Sequence, residues 1–216
     1  MNSIVAEKKY IAAALGVDYD SLSQSYLRSE VALGTQGKIK FNLQEGKNGS
    51  GILITEKRLA LNDEFVVTHF SLSLKKIASD TPTDLQQANA LLYTWENPTI
   101  FSGTNAANMA SVYNGSLSWT INRKQFIPQF PVRAFRRVPT TQTGTDVGYT
   151  SSGVNTVDGF ENGLFGFYPS EPTKIDGRQT IDLEVDLGTS VTFDDASNTY
   201  YAVFEARGYL IVNAKN

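Results

Sequence analysis

Thr180-Ile181-Asp182-Leu183-Glu184-Val185-Asp186-Leu187 alternates apolar and polar residues without a break. Successive side chains of a strand point to opposite faces, so a period of two predicts a strand with one dry and one wet face. Ile181, Leu183, Val185 and Leu187 fall on the dry face, and Asp182, Glu184 and Asp186 on the wet one. The same period recurs along the chain. Val66, Thr68, Phe70, Leu72 and Leu74 alternate with Val67, His69, Ser71 and Ser73. Leu117, Trp119 and Ile121 alternate within Ser116 to Asn122, and Ile39, Phe41 and Leu43 with Lys40 and Asn42. Tyr200 to Val212 is apolar enough to lie centrally in a sheet, with Gly208 as a bulge. About eight such strands joined by irregular loops predict a mainly β protein, an antiparallel β-sandwich or jelly roll.

The first 34 residues read differently. Ser3 caps an Ala-rich segment from Ile4 to Leu15, and Gly16 stands where a helix C-terminal glycine belongs. Ser21-Leu22-Ser23-Gln24 fits a capping box, and Leu22, Tyr26, Leu27 and Val31 recur at near-helical spacing up to Gly34. The expectation is a helical arm over residues 1–34 and a β domain over 35–216. Gly46 to Gly51 reads as the loop of a hairpin that returns through Ile52-Leu53-Ile54. Ser79 to Asn89, with Pro82, reads as a loop or helical turn, Leu91 to Trp95 as a short strand, and Ala106 to Val112 as one helical turn. Pro128, Pro131 and Pro139 bracket a basic segment and place it at a sheet edge or in an extended arm, because proline lacks the N–H a central strand donates. Thr140 to Thr156 is rich in Thr, Ser and Gly and reads as an exposed loop, followed by an apolar, aromatic run from Gly163 to Tyr168.

With 216 residues, 41% of them hydrophobic and 19% charged, the chain has enough apolar surface for a packed core. The absence of Cys excludes disulfides, thiolate zinc sites and Cys nucleophiles. No stretch approaches the roughly 18 apolar residues of a membrane span, and Met1 to Lys9 has no apolar signal core. The Asn-Gly-Ser triplets at Asn48 and Asn114 read as turns. The net charge of −3 argues against general nucleic-acid binding. Charge is also segregated along the chain. Between Glu96 and Asp146 there are five basic residues and no acidic one; from Asp146 to Asp195 there are ten acidic residues and two basic ones, Lys174 and Arg178. Such stretches form complementary patches between subunits or neutralise each other within one fold.

Little in the sequence supports catalysis. His69 is the one histidine, lies within a strand, and has no nucleophile elbow near it. Asp182, Glu184 and Asp186 sit roughly 6.5–7 Å apart along one strand face, near the spacing of an inverting glycosidase pair, but such a row is also an ordinary solvated face. A calcium loop beginning at Asp18 fails, because its fifth and sixth positions hold Leu22 and Ser23. Asp194, Asp195 and Asn198 leave a loop calcium open. No phosphate-binding glycine motif is present, so no cofactor and no metal site is expected. Arg123, Lys124, Phe126, Phe130, Arg133, Phe135, Arg136 and Arg137 interleave cations with aromatics. Single-stranded nucleic acid could use that pattern, as could intramolecular packing, but Arg and aromatics are the residues enriched in interface cores. A subunit contact with Asp182, Glu184 and Asp186 is the favoured reading.

Several stretches resemble virion structural proteins of bacteriophages. They are Leu61-Asn62-Asp63-Glu64-Phe65-Val66-Val67-Thr68, Tyr93-Thr94-Trp95-Glu96-Asn97-Pro98, Tyr113-Asn114-Gly115-Ser116-Leu117, Phe135 to Gln142, and Arg207 to Asn213. The resemblance spans Leu59 to Asn213. It implies a jelly-roll-like fold, a capsid or capsid-associated role without catalysis, and assembly with copies of itself and other virion proteins in the host cytoplasm. One jelly roll suits the length better than two. The alternative is a carbohydrate- or receptor-binding sandwich with Trp95, Trp119 and Tyr149 as platform candidates, although Trp119 alternates with the core-like Leu117 and Ile121 and so reads as buried. A carboxylate glycosidase using Asp182, Glu184 or Asp186 is the third reading.

Overall fold

The computed structural model describes residues 3–45, 53–101, 104–138, 172–193, 195–212 and 214. Helix α1 (Ser3–Leu15) ends at Gly16, whose φ of 63° is the left-handed conformation of a C-terminal glycine. Then follow β1 (Ser23–Ala32), β2 (Thr35–Phe41), β3 (Glu64–Ile77), α2 (Asp84–Asn89), β4 (Leu92–Tyr93), α3 (Thr104–Asn114), β5 (Ser116–Ile121) and β6 (Lys124–Pro131). The chain closes with β7 (Thr173–Asp176), β8 (Ile181–Thr192) and β9 (Thr199–Ile211).

The strands form two antiparallel sheets. One runs β1-β9-β3, with β4 and β7 pairing different parts of the far side of β3; the other runs β2-β8-β5-β6. Apart from the two-residue β4, the pairs nest. β5 pairs β6, β3 pairs β7, β2 pairs β8 and β1 pairs β9. A chain doubled once on itself and then rolled up gives that nesting, and rolling brings β3 against β9 and β5 against β8. This is the winding of a jelly roll.

The predicted alternation of β8 is realised: Leu183 and Val185 are buried and Asp182 is exposed. β9 is central, between β1 and β3, and β6, with Pro128 and Pro131, is an edge strand. β4 falls inside the expected short strand. α2 carries a full capping box between Thr83 and Gln86. α3 is longer than the single turn expected. Thr140–Thr156, Gly163–Tyr168 and Gly46–Gly51 lie outside the described residues.

Three local expectations are corrected. The second helix is not formed: Ser23 to Ala32 is β1, paired over its whole length with β9. Leu27 and Ser29 face the core while Tyr26 and Arg28 face outward, so the segment satisfies a period of two as well as a helical one. Ten registered positions on a buried central strand outweigh a local helical preference. Asp18, not Ser21, caps the short 3-10 turn at Tyr19–Ser21. The hairpin from β2 to residues 52–54 is also not seen among the described residues: β2 pairs β8, and Leu53 and Ile54 are not in a strand. Residues 53–58 instead cross the outer side of the other sheet. Finally, the expected single face from Val66 to Leu74 breaks at a bulge between Val67 and His69, opposite Gly208. Phe65 and Val67 point into the core before it, and Phe70, Leu72 and Leu74 after it. Val66 points outward and packs beneath α1 with Ile11, Leu22, Tyr209 and Ile211.

The two sheets meet at an aromatic joint. Phe70 on β3 lies 5.7 Å from Phe204 on β9, 5.7 Å from Trp119 on β5 and 5.7 Å from Phe135, measured between ring centroids. Trp119 and Phe204 are edge to face at 5.7 Å. All four rings are buried. The bulge that aims Phe70 inward leaves no room for a side chain opposite it: a Cβ on Gly208 would stand 1.8 Å from the carbonyl oxygen of Val66. Gly208→Ala is therefore expected to cost at least the roughly 1–3 kcal/mol of an overpacked site, read as a lower denaturation midpoint.

Candidate functional site

Asp182, Glu184 and Asp186 stand in a row on the outer face of the four-stranded sheet, opposite Thr120, Ser118 and Ser116 of β5. On the other side Lys40 is in register with Glu184 and Lys38 with Asp186. Lys38 Nζ lies 2.6 Å from Glu184 Oε1 and 3.7 Å from Asp186 Oδ2. The hydrogen bond to Glu184, then that carboxylate's charge, raises the pKa of Lys38 above its usual value. A shallow hollow of about 430 Å³ lies before the row, lined by Ser116, Ser118, Gln129, Glu184 and Asp186. Glu184 and Asp186 share this lysine on an open face of the sheet.

The basic segment divides in two. Arg123 and Lys124 are exposed at the β5–β6 turn, where Asn122 and Arg123 take φ values of 49° and 66°, as a tight hairpin turn requires. Arg133 and Arg137 are exposed beyond the other end of β6. Arg136 grips Glu96, with Nε 2.8 Å from Oε2 and 3.0 Å from Oε1. Burial works against the charge on Glu96, but the hydrogen bonds from Arg136, a backbone hydrogen bond and the charges of Arg136 and Arg133 together outweigh it and lower its pKa. Of the aromatics expected at an interface, Phe135, beyond β6, is buried in the core, and Phe126 and Phe130 on β6 are half-buried and pack against the core. Trp95 and Trp119 are likewise buried and offer no exposed sugar platform; Tyr149 lies outside the described residues.

Asp195 accepts hydrogen bonds from Tyr200 Oη at 2.7 Å, Asn198 Nδ2 at 2.8 Å and the Ser197 N–H at 2.9 Å. These donors, Tyr200 foremost, push its pKa down to about 2. Its oxygens are committed to holding the turn before β9. Asp194, the other residue of that expected calcium loop, lies outside the described residues.

The sequence reading missed the outer face of the five-stranded sheet. Tyr26 and Arg28 on β1, Glu205 and Arg207 on β9, and His69 on β3 share it, since Tyr26 and His69 both pair with Arg207 and Arg28 pairs with Glu205. Their signal in the sequence is the pair of charges, Glu205 and Arg207, interrupting an otherwise apolar strand. Both ends of this face are roofed. α1 covers one end through Ile11, Ala12 and Leu15. Residues 53–58 cover the other, bound to β1 by Arg28 N to Lys57 O at 2.7 Å and Lys57 N to Arg28 O at 3.0 Å.

Charges are buried beneath the second roof. Lys75 Nζ lies 2.5 Å from Glu30 Oε2, both side chains being fully inaccessible, and Arg28 Nε donates to Glu30 Oε1 at 2.8 Å. Glu56, on the roof, accepts from the Glu30 N–H at 2.8 Å and from the Leu53 N–H at 2.9 Å, and pairs with Arg58. Burial lowers the pKa of Lys75, and Glu30 opposes that shift.

Between the roofs lies an open groove of about 580 Å³. On its floor Arg207 Nε donates to Glu205 Oε1 at 2.6 Å, and the Thr68 hydroxyl donates to the Arg207 carbonyl at 3.2 Å. His69 Nδ1 is 3.3 Å from Thr68 Oγ1. Burial, then the charge of Arg207, lowers the pKa of His69. Comparison with protein-family models, with curated proteins and with solved structures finds no match.

Two outcomes follow from these environments. Glu30→Gln strands Lys75 in the interior and is expected to cost about 3–5 kcal/mol in denaturant melts, against under about 1 kcal/mol for Glu184→Gln on the open face. His69 has a lower pKa folded than unfolded, so the unfolded chain binds its proton first. Stability is retained above the unfolded value near 6.5 and lost as pH falls below it. Between pH 7 and 5 the parent protein should lose stability relative to His69→Gln.

Proposed function

We propose that this chain is a non-enzymatic structural subunit of a virus particle, a bacteriophage capsid or capsid-associated protein that assembles with copies of itself. One observation carries the reading: a jelly roll presents separated charges that its own fold leaves unmatched. Arg123, Lys124, Arg133 and Arg137 are exposed, and no carboxylate among the described residues lies within 4 Å of them. Glu184 and Asp186 share Lys38, and Asp182 is exposed with no cation in contact among the described residues.

A flat acidic sheet face and a basic hairpin tip complement each other between copies. Arg123 and Lys124 project from the end of β6, so one copy's turn can reach a neighbour's face without moving the backbone of either. Such a contact joins two different patches, and it closes into a ring or shell when the rotation between copies allows. Jelly rolls serve both as capsid subunits and as lectins, so the fold alone does not choose between them. The burial of Trp95 and Trp119 weakens the platform form of the lectin reading, and the likeness of the chain to phage virion proteins supports the structural one.

Sedimentation velocity across ionic strengths tests this. From about 0.01 M to about 1 M salt the screening length falls from about 30 Å to about 3 Å. The expected result is oligomers at low salt that dissociate as salt rises. Arg123→Glu with Lys124→Glu should abolish them, and mixing that variant with Asp182→Lys should restore association. A monomer at every salt concentration overturns the proposal.

A further inference from the structure

We propose that the groove on the outer face of the five-stranded sheet binds an acidic saccharide: a hydroxylated ring carrying a carboxylate or sulfate. The site is independent of the charged surfaces invoked for assembly, which lie on the other sheet.

The groove has the size of a small-ligand site, about 580 Å³, where such sites typically span roughly 300–1,000 Å³. Its walls are fixed before any ligand arrives. Arg207 is held from its Nε side by Glu205 at 2.6 Å, and no other carboxylate among the described residues touches it. Its terminal amino groups make no hydrogen bond within the described residues, and its side chain keeps 33% of its exposure. Arg28, diagonally across the β1–β9 ladder, is held by Glu30 through Nε at 2.8 Å and Nη2 at 2.7 Å, and its side chain keeps 16% of its exposure. A guanidinium steadied by one edge offers its other donors as a planar fork, which fits the paired oxygens of a carboxylate or sulfate.

The local charge balance agrees. Glu30 is matched by Lys75, which leaves Arg28, Arg207 and Lys57 against Glu205 and the rim residue Glu7. An anion therefore enters a locally positive site on a chain whose net charge is −3. A bare anion would leave the rest of the groove unused. Tyr26 is 42% exposed and forms an aromatic wall, steadied by Lys57 Nζ 4.9 Å from its ring centroid. The C–H face of a sugar ring packs on such a surface. Gln24 and Thr68 supply amide and hydroxyl partners for ring hydroxyls.

Isothermal titration with glucuronate and N-acetylneuraminate, beside glucose and inorganic sulfate, tests the site. At least one acid sugar should bind saturably in the millimolar range, and more tightly than glucose or sulfate. Arg207→Lys keeps the charge but loses the fork and should weaken that binding at least tenfold; Tyr26→Ala, at an exposed position, should weaken it several-fold. Both variants should show the parent's thermal melting, which separates a lost site from a lost fold. The proposal is overturned if neither acid sugar binds, if sulfate alone binds as well as they do, or if folded Arg207→Lys and Tyr26→Ala bind unchanged. Salt-dependent assembly is scored separately, so either outcome leaves the other reading standing or falling by itself.

Discussion

The contact of Phe70 with Phe204 and Trp119 is the constraint on which the rest of the structure depends. Two sheets have no hydrogen bonds to hold them face to face; only burial of apolar side chains does so, at about 10 Å separation. Phe70 and Phe204 come from neighbouring strands of one sheet, and Trp119 reaches them from the other. Phe126 on the edge strand extends the joint by meeting Trp119 at 5.3 Å. Because β3, β5, β6 and β9 each contribute a ring, the joint ties segments more than a hundred residues apart. The bulge at Gly208 serves it, since without the shift in register Phe70 would face the solvent side.

The outer faces of the sandwich have opposite characters. The four-stranded sheet keeps an open, charged face with the acidic row of β8 along its centre. The five-stranded sheet is roofed at both ends, and its roofs differ in kind. α1 is held by apolar packing around Ile11 and Val66. Residues 53–58 are held by apolar contacts of Leu53 and by the Glu30, Lys75 and Glu56 network. Buried ions cost desolvation and stabilise little against apolar replacements of equal volume. Their effect here is positional, because the hydrogen bond from the Glu30 N–H to Glu56 and the backbone pair of Arg28 with Lys57 fix where residues 53–58 lie. The groove is the strip of sheet that neither roof reaches.

On the readings proposed above, this division separates two kinds of work. An assembly contact needs a broad face with long-range charge and little preorganisation, which the four-stranded sheet and the β5–β6 turn supply. A small-ligand site needs side chains immobilised before binding, which the ion pairs of Arg28 and Arg207 supply. Asp195 and Tyr200 illustrate a third use of polar groups. Asp195 carries a depressed pKa, and its donors are Ser197, Asn198 and Tyr200 beside it with Asn105 of α3 at 3.3 Å, so the shift reflects a turn braced to that helix.

Much of the fold was legible in the residues alone. The alternation of Ile181 to Leu187, the prolines of β6, the apolar run of β9 and the helix ending at Gly16 each rest on local geometry, which a sequence states directly; Gly208 was expected to be the bulge of β9, but the extra residue is Thr68 on β3, opposite it. The acidic row and the exposed Arg123 and Lys124 were legible for the same reason. The sequence did not reveal which strand pairs with which. Ser23 to Ala32 fits helical and strand periods alike, and only β9 beside it decided between them. The stretch after β2 looked like half a hairpin until β8 took the place beside it. Phe135 looked like an interface residue and became core, and Phe126 and Phe130 are half-buried against that core, because burial depends on the facing sheet. The groove was invisible for a stronger reason: Tyr26, His69 and Arg207 lie far apart in the chain, and rolling the doubled ribbon is what brings β1, β3 and β9 together. Periodicity is a property of neighbours in sequence, whereas pairing and burial are properties of neighbours in space, and only the rolled sheet supplies those.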